Sequence, residues 1–262
     1  MNFSILISTH NQSKYLSRCI NSCFNQNYNF FFEIIVCDTS KKSNLHIVKN
    51  IKRKNFQYFH RNKFSNYPVI DQILKNFFMF KKSKGKTICF LDGDDFFFKN
   101  KLSSISKIIT DGTVYHDLPI YIMENYKLKR KAKVSFLKKN FVYNKLINNW
   151  PIVMGTSCLF ANRKILDQFF KNKNTYKYNN LAIDSKLAIF SKKNFKYKIF
   201  NKYLTYKSVN DYNLDNNFNN FFSKIYWIRR NQQLNYSRSI GSFEFNINFI
   251  VTKIVFFFIK VF

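Results

Sequence analysis

The stretch Thr87-Ile88-Cys89-Phe90-Leu91-Asp92-Gly93-Asp94-Asp95 decides how the rest of the chain is read. Thr87 to Leu91 is a short, almost wholly apolar run, the pattern of a strand buried on both faces. It ends in three carboxylates within four residues, with Gly93 where the chain has to turn tightly. Gly85 breaks the chain just ahead of the run. Strands of this kind belong to parallel sheets, which bind ligands at the carboxyl ends of their strands.

Upstream of that strand the pattern alternates. Phe3 to Ser8, Phe32 to Cys37 and Phe56 to Phe59 read as strands. Between them Ser13 to Phe24 carries Leu16, Cys19, Ile20 and Cys23 at helical spacing, and Leu45 to Ile51 is a short helix. Val69 to Phe80 is helical by Ile70, Ile73, Leu74, Phe77 and Phe80, with Pro68 at its start. Strand and helix in alternation predict an α/β fold, a mostly parallel central sheet flanked by helices. Polar groups fall at the strand ends: Thr9-His10-Asn11, Asp38-Thr39-Ser40 and Asp92 to Asp95. The second half is less regular. Helices are expected at Lys99 to Ile109, Ile165 to Phe170, Ile183 to Phe190 and Phe218 to Tyr236. Extended segments are expected over Val114 to Val134, with a basic crest at Lys127 to Lys133, and a strand at Ser157 to Ala161. Phe195 to Lys207 reads as two short strands, and Asp117, just before Leu118-Pro119, as a turn residue.

Hydrophobic residues make up 46% of the 262, enough to bury a full core. The 44 basic residues against 14 acidic ones give a formal net charge of +30. Nucleic-acid binding, attraction to an anionic membrane and drift toward AT-rich codons (Lys, Asn, Phe, Ile, Tyr) all produce such a balance. The basic residues are spread along the chain and form no recognised nucleic-acid motif, so drift and membrane attraction rank ahead and no nucleic acid is expected as partner. Cys19, Cys23, Cys37, Cys89 and Cys158 are odd in number and lie in apolar settings, which favours core packing over disulfides or a metal. A reducing cytoplasm fits, and the start, Met1 to Ile5, has no basic n-region, so no signal peptide is expected. The tail, 243–262, is the most apolar stretch, interrupted by Lys253 and Lys260 and too short to span a bilayer. It reads either as an interfacial helix with snorkelling lysines or as a helix packed on the core.

Adjacent carboxylates repel, and a hard divalent cation, Mg²⁺ or Mn²⁺, resolves the repulsion. The other reading of Asp92, Asp94 and Asp95 is a helix N-terminus enriched in acids. Asp38 could hold a ligand at its strand end or only cap a turn, and Thr9, His10 and Asn11 could do the same.

Taken together, Ser4-Ile5-Leu6-Ile7-Ser8-Thr9-His10-Asn11, Tyr15 to Ser22, Gln26-Asn27-Tyr28, Phe32 to Ser40 and Lys84 to Asp95 resemble the family 2 glycosyltransferases, which have the GT-A fold. Gly155-Thr156-Ser157-Cys158 and Ile183-Asp184-Ser185-Lys186-Leu187 look like that family's acceptor-side segments. His10 stands where the family usually has Tyr, Asp38 is single where two acids are common, and Tyr67 to Gln72 replaces an Ala-Arg-Asn segment. The resemblance implies that Thr9, His10, Asn11, Asp38, Asp92 and Gly93 hold the nucleotide sugar, that Asp94 binds the metal with Asp95 in support, and that Asp184 is the catalytic base. The other reading of Asp184 is an acid favouring a helix N-terminus.

The expected function is therefore metal-dependent, inverting transfer of a sugar from a nucleoside diphosphate sugar, a UDP-sugar first, to a hydroxyl on a glycan or lipid-linked glycan acceptor, in cell-surface polysaccharide assembly. The place of action would be the cytoplasm or the inner face of the cell membrane. Residues 1–210 would form the GT-A domain, with 1–112 the nucleotide half and 113–210 the acceptor half, and 211–262 a helical extension. The alternatives are a sugar-phosphate nucleotidyltransferase and a non-catalytic nucleic-acid-binding protein. The first calls for a Gly-rich loop that Ser8 to Ser13 lacks, and the second leaves the acidic cluster unexplained.

Overall fold

A computed structural model describes residues 2–123, 129–132, 152–209, 223–243, 245 and 247–261. The first half holds β1 (Phe3–Thr9), α1 (Ser13–Phe24), β2 (Phe32–Asp38), α2 (Leu45–Val48), β3 (Phe56–His60), α3 (Pro68–Lys82) and β4 (Thr87–Asp92). The second half holds β5 (Phe96–Phe97), α4 (Lys101–Ser106), β6 (Thr113–Met123), β7 (Lys129–Lys131), β8 (Leu159–Asn162), α5 (Arg163–Lys171), α6 (Ile183–Asn194), β9 (Lys196–Val209), α7 (Lys224–Ser239) and α8 (Ile247–Val261).

One sheet runs β3-β2-β1-β4-β8-β6-β9-β5, with β7 beside β6. β3, β2, β1 and β4 are parallel, while β8 is antiparallel to both β4 and β6. Successive residues of β1 point to opposite faces. Leu6 joins Ile73, Phe169 and Leu187 on one side, and Ile5 and Ile7 join Leu16, Ile20 and Leu102 on the other. The result is the expected α/β layering: β3, β2, β1 and β4 run parallel, β8 enters antiparallel, and β6 and β9 again pair in parallel. The sequence direction reverses between β1 and β4, which opens a crevice at their carboxyl ends. All five cysteines are buried and free.

Two expectations are corrected. The two short strands over Phe195 to Lys207 are one strand, β9, and the break survives as a bulge. Asp117 alone on β6 stands against Phe200, Asn201 and Lys202, between the pairs His116–Ile199 and Leu118–Tyr203. Asp117 is no turn residue. It is fully buried there, 2.7 Å from Lys101 Nζ, and accepts a 2.8 Å bond from Thr205 Oγ1. Of the basic crest, residues 129–132 are described, and of the helix expected at Phe218 to Tyr236 the described part begins at its Ser223 cap.

α7 joins the domain through Tyr236, fully buried in the same cluster as Phe169 and Leu187. α8 lies on α7 by its polar side. Arg230 Nη2 donates to Asn248 Oδ1, and Thr252 is buried. Lys253 donates to Asn231 Oδ1 at 2.7 Å and Asn235 Oδ1 at 3.1 Å, so it turns inward and does not snorkel. The apolar side of α8 faces out, with Ile254, Phe257 and Phe258 52, 64 and 54% exposed. Among the described residues no helix is long and apolar enough to cross a membrane.

Candidate functional site

β4 delivers the acidic turn to the crevice. Gly93 N–H donates to Ser8 O at 2.9 Å, drawing the turn onto the end of β1. A Cβ on Gly93 would stand 2.5 Å from Thr9 Oγ1, so only glycine allows this approach. Asp92 Oδ1 accepts from Gln72 Nε2 at 2.7 Å and Ser8 Oγ at 3.1 Å. Asp95 has both oxygens engaged, Oδ2 by Ser157 Oγ at 2.6 Å and Oδ1 by Ser208 N–H at 2.8 Å. The Asp94 carbonyl accepts from Ser208 Oγ at 2.5 Å and Arg18 Nη2 at 2.9 Å, which fixes the backbone of the turn. Burial, with the charge of Asp94 added, pushes the Asp92 carboxyl up to about 6 and Asp95 well above its usual range. The cluster is thus short of positive charge.

These residues fit a hard divalent cation, though not a preformed cage: among the described residues no three His, Cys, Asp or Glu side chains converge on one point. Asp95 is committed to Ser157 and Ser208, and one oxygen of Asp92 to Gln72 and Ser8. The Asp94 carboxylate and the other oxygen of Asp92 could serve, with ligand oxygens completing the shell. Mg²⁺ and Mn²⁺ favour that sparse set when phosphates are present.

The loops after β1 and β2 form the opposite wall. Asn11 is left-handed (φ 54°), and its N–H donates to Ser40 Oγ at 2.7 Å. His10 Nδ1 donates to the Thr39 carbonyl at 2.7 Å, leaving Nε2 as an acceptor. Burial lowers the His10 pKa, so the ring is neutral at pH 7. Asp38 is fully buried behind the wall and accepts from Ser40 N–H, Asn44 N–H, Asn44 Nδ2 and Tyr58 Oη. Burial alone would raise its pKa, but those hydrogen bonds outweigh it and hold the carboxyl below its ordinary value. Asp71 is likewise buried, accepting from Phe64 N–H and Thr39 Oγ1 and pairing with Lys75 at 3.4 Å.

A cavity of about 710 Å³ lies between these walls. His10, Asn11, Asp92, Asp94, Asp95 and Asp184 line it, whereas Thr9, Asp38 and Gly93 stand behind and shape it. Asp184 sits in the first turn of α6, where its Oδ1 accepts from Ser185 N–H at 2.6 Å. The sequence reading missed Lys75, Lys207 and Arg229, which also line the cavity. Lysine and arginine are so abundant in this chain that nothing marks these three. Gln72, which orients Asp92, was visible only as part of a departure from the family pattern.

The Glycosyl transferase family 2 profile matches residues 4–170. A glycosyltransferase of Rickettsia bellii (strain RML369-C) is 28% identical over 216 residues, which are 80% of this chain and 30% of the relative. Glycosyltransferase MG025 of Mycoplasma genitalium is 26% identical over 183 residues, 68% of this chain and 56% of the relative. The chain thus spans about a third to a half of the curated relatives it matches. Among solved structures, S. aureus TarS 1-349 in complex with UDP superposes with a TM-score of 0.60 at 17% identity, over 90% of this chain and 65% of that one. Mannosyltransferase PcManGT from Pyrobaculum calidifontis, in complex with GDP-Man and Mn²⁺, gives 0.61 at 12% identity, over 98% and 69%. Those two likenesses bear on the fold, which is that of the GT-A enzymes, and the profile match over more than half of the sequence carries the relationship: the chain belongs to glycosyl transferase family 2.

Proposed function

We propose that this chain transfers a sugar from a nucleoside diphosphate sugar to a hydroxyl acceptor with inversion at the anomeric carbon, using Mg²⁺ or Mn²⁺. The observation that carries the reading is one cavity lined by neutral His10 and Asn11 at one wall, the acidic turn at its floor, and Asp184 on α6. His10 and Asn11 would meet the base and ribose, with Asp38 acting indirectly by fixing the loop they rest on. Asp94, beside Asp92, would hold the cation, and Asp95 would brace the turn. When bound, the cation would offset the charge of the leaving nucleoside diphosphate. Asp184 would take the proton of the acceptor hydroxyl as the new bond forms. UDP in TarS and GDP-Man in PcManGT make both nucleotides candidates, and a UDP-sugar is our first choice. We place the acceptor on a lipid-linked glycan, at the inner face of the cell membrane, in surface polysaccharide assembly. The support is the outward apolar side of α8 and the net charge of +30.

The test is calorimetric titration of UDP and GDP with and without Mn²⁺, on the native chain and on Asp94→Asn. The native chain should bind one nucleotide in a metal-dependent way. Asp94→Asn should keep its thermal transition, since removing one clustered charge relieves repulsion, and lose the metal-dependent part. Unchanged metal-dependent affinity in the variant would remove Asp94 from the site.

A further inference from the structure

Lys207 lies near the end of β9, in the wall of the same cavity as Asp92, Asp94, Asp95 and Asp184. Its position is built. The next residue, Ser208, donates its N–H to Asp95 Oδ1 at 2.8 Å and its hydroxyl to the Asp94 carbonyl at 2.5 Å, so this part of β9 is tied to the acidic turn. Across from it, Gly155 has φ 89° and ψ 162°, a backbone open essentially to glycine alone. A Cβ at Gly155 would overlap Lys207 Nζ and stand 3.0 Å from Cε and 3.3 Å from Cδ. The lysine chain therefore lies across the bare glycine, and the glycine is what gives it room. His116 Nδ1 accepts from Met154 N–H at 3.1 Å and holds the segment leading to Gly155 in place.

We propose that Lys207 is the cation that grips the diphosphate of the donor, a role that rests on the nucleotide-sugar reading above. Its ammonium acts electrostatically on both Asp92 and Asp95. A diphosphate entering over the acidic turn brings negative oxygens to that ammonium and makes charge-assisted bonds with it. In the transfer step the bond from the anomeric carbon to the diphosphate oxygen breaks and its electron pair stays on the diphosphate. The acceptor oxygen bonds to that carbon and gives up its proton to the base. Lys207 then faces the side on which charge grows, and Gly155 keeps its path clear.

The experiment titrates the native chain, Lys207→Gln and Lys207→Arg with UDP and uridine, and with GDP and guanosine, by calorimetry. Lys207→Gln should weaken the diphosphate by about ten-fold or more and leave the nucleoside within two-fold, with Lys207→Arg recovering part of the loss. Gly155→Ala should show the same selective loss if it folds. Equal affinity for the diphosphate in Lys207→Gln, or a parallel loss of nucleoside and diphosphate, would overturn the role of Lys207. Failure of the native chain to bind either diphosphate would instead overturn the nucleotide-sugar reading itself.

Discussion

Asp184 and His116 show two uses of buried polar side chains, one aimed at a cavity and one at a backbone. Asp184 lines the cavity from the first turn of α6. An acceptor hydroxyl is a weak nucleophile, and a carboxylate positioned to take its proton contributes about 10²-fold or more. Asp184→Asn should therefore cut transfer by about that factor and leave nucleotide affinity unchanged, as read by initial rates beside a binding titration. Near-normal turnover would remove it as the base. His116 is fully buried, and burial, helped by the charges of Lys101 and Lys207, holds its pKa down to about 3 against an ordinary 6.5. Between those values the unfolded chain takes up a proton that the folded chain refuses, so the contribution of His116 is complete above pH 6.5 and fades as pH falls. The loss is at most about 1.4 kcal/mol per pH unit. Urea midpoints of His116→Leu should fall less steeply than those of the native chain between pH 6.5 and 4.5. At this scale the sequence revealed the residues whose rarity made them conspicuous. Fourteen acids in 262 residues made Asp92, Asp94, Asp95 and Asp184 visible, whereas 44 basic residues hid Lys75, Lys207 and Arg229. Asp38 was conspicuous for the same reason, yet its carboxylate is consumed by the loop it folds.

The elements of the first half were legible because their patterns are plain: β1, β2 and β4 have apolar central runs and are buried along nearly their whole length, and α1 buries Leu16, Cys19, Ile20 and Cys23 at helical spacing. β9 was harder. It is only half-buried for much of its length, so its alternation is weak, and its pairing with β6 slips at a bulge that no local pattern announces. What holds the bulge is an ion pair contributed by residues 16 positions apart. Lys101 Nζ on α4 meets Asp117 on β6 at 2.7 Å and also donates to Thr205 Oγ1 at 2.7 Å and the Ser157 carbonyl at 2.9 Å. Ser157 in turn carries Asp95, so α4, β6 and β9 meet directly behind the acidic turn. Removing one member strands a buried charge, at a cost of about 3–5 kcal/mol, while removing both is milder. Lys101→Met should lower stability in urea by that amount, and Lys101→Met with Asp117→Leu should recover part of it. A double variant as unstable as the sum of its singles would show that the two side chains act independently.

At the scale of the molecule, the charge of +30 and the apolar tail left two possibilities open for 243–262, an interfacial helix and a helix packed on the core, and the structure shows α8 packed with its apolar side outward. α8 does pack on the domain, but through Asn248, Thr252 and Lys253, against the polar surface that α7 presents with Arg230, Asn231 and Asn235. That arrangement was illegible in the sequence because it inverts the usual rule: the polar stripe is inside and the apolar one outside. Among the described residues α8 is not long and apolar enough to cross a membrane, and its outward apolar side is compatible with the interfacial contact we propose. The occupant of the apolar side should be an anionic lipid surface, since a second copy would bring its own +30 and be repelled, whereas anionic headgroups attract at about 1 kcal/mol for each basic side chain near the surface. Phe257→Asp with Phe258→Asp is the sharp test, because both rings are more than half exposed and the substitutions should shift stability by no more than about 0.5 kcal/mol each. Co-sedimentation with phosphatidylglycerol vesicles should be strong for the native chain, weaker with neutral phosphatidylcholine or at high salt, and largely lost in the double variant with its melting transition unchanged. Equal sedimentation of variant and native chain would sink the membrane assignment. A native dimer in analytical ultracentrifugation that the variant abolishes would assign the apolar side to a second copy, despite the repulsion.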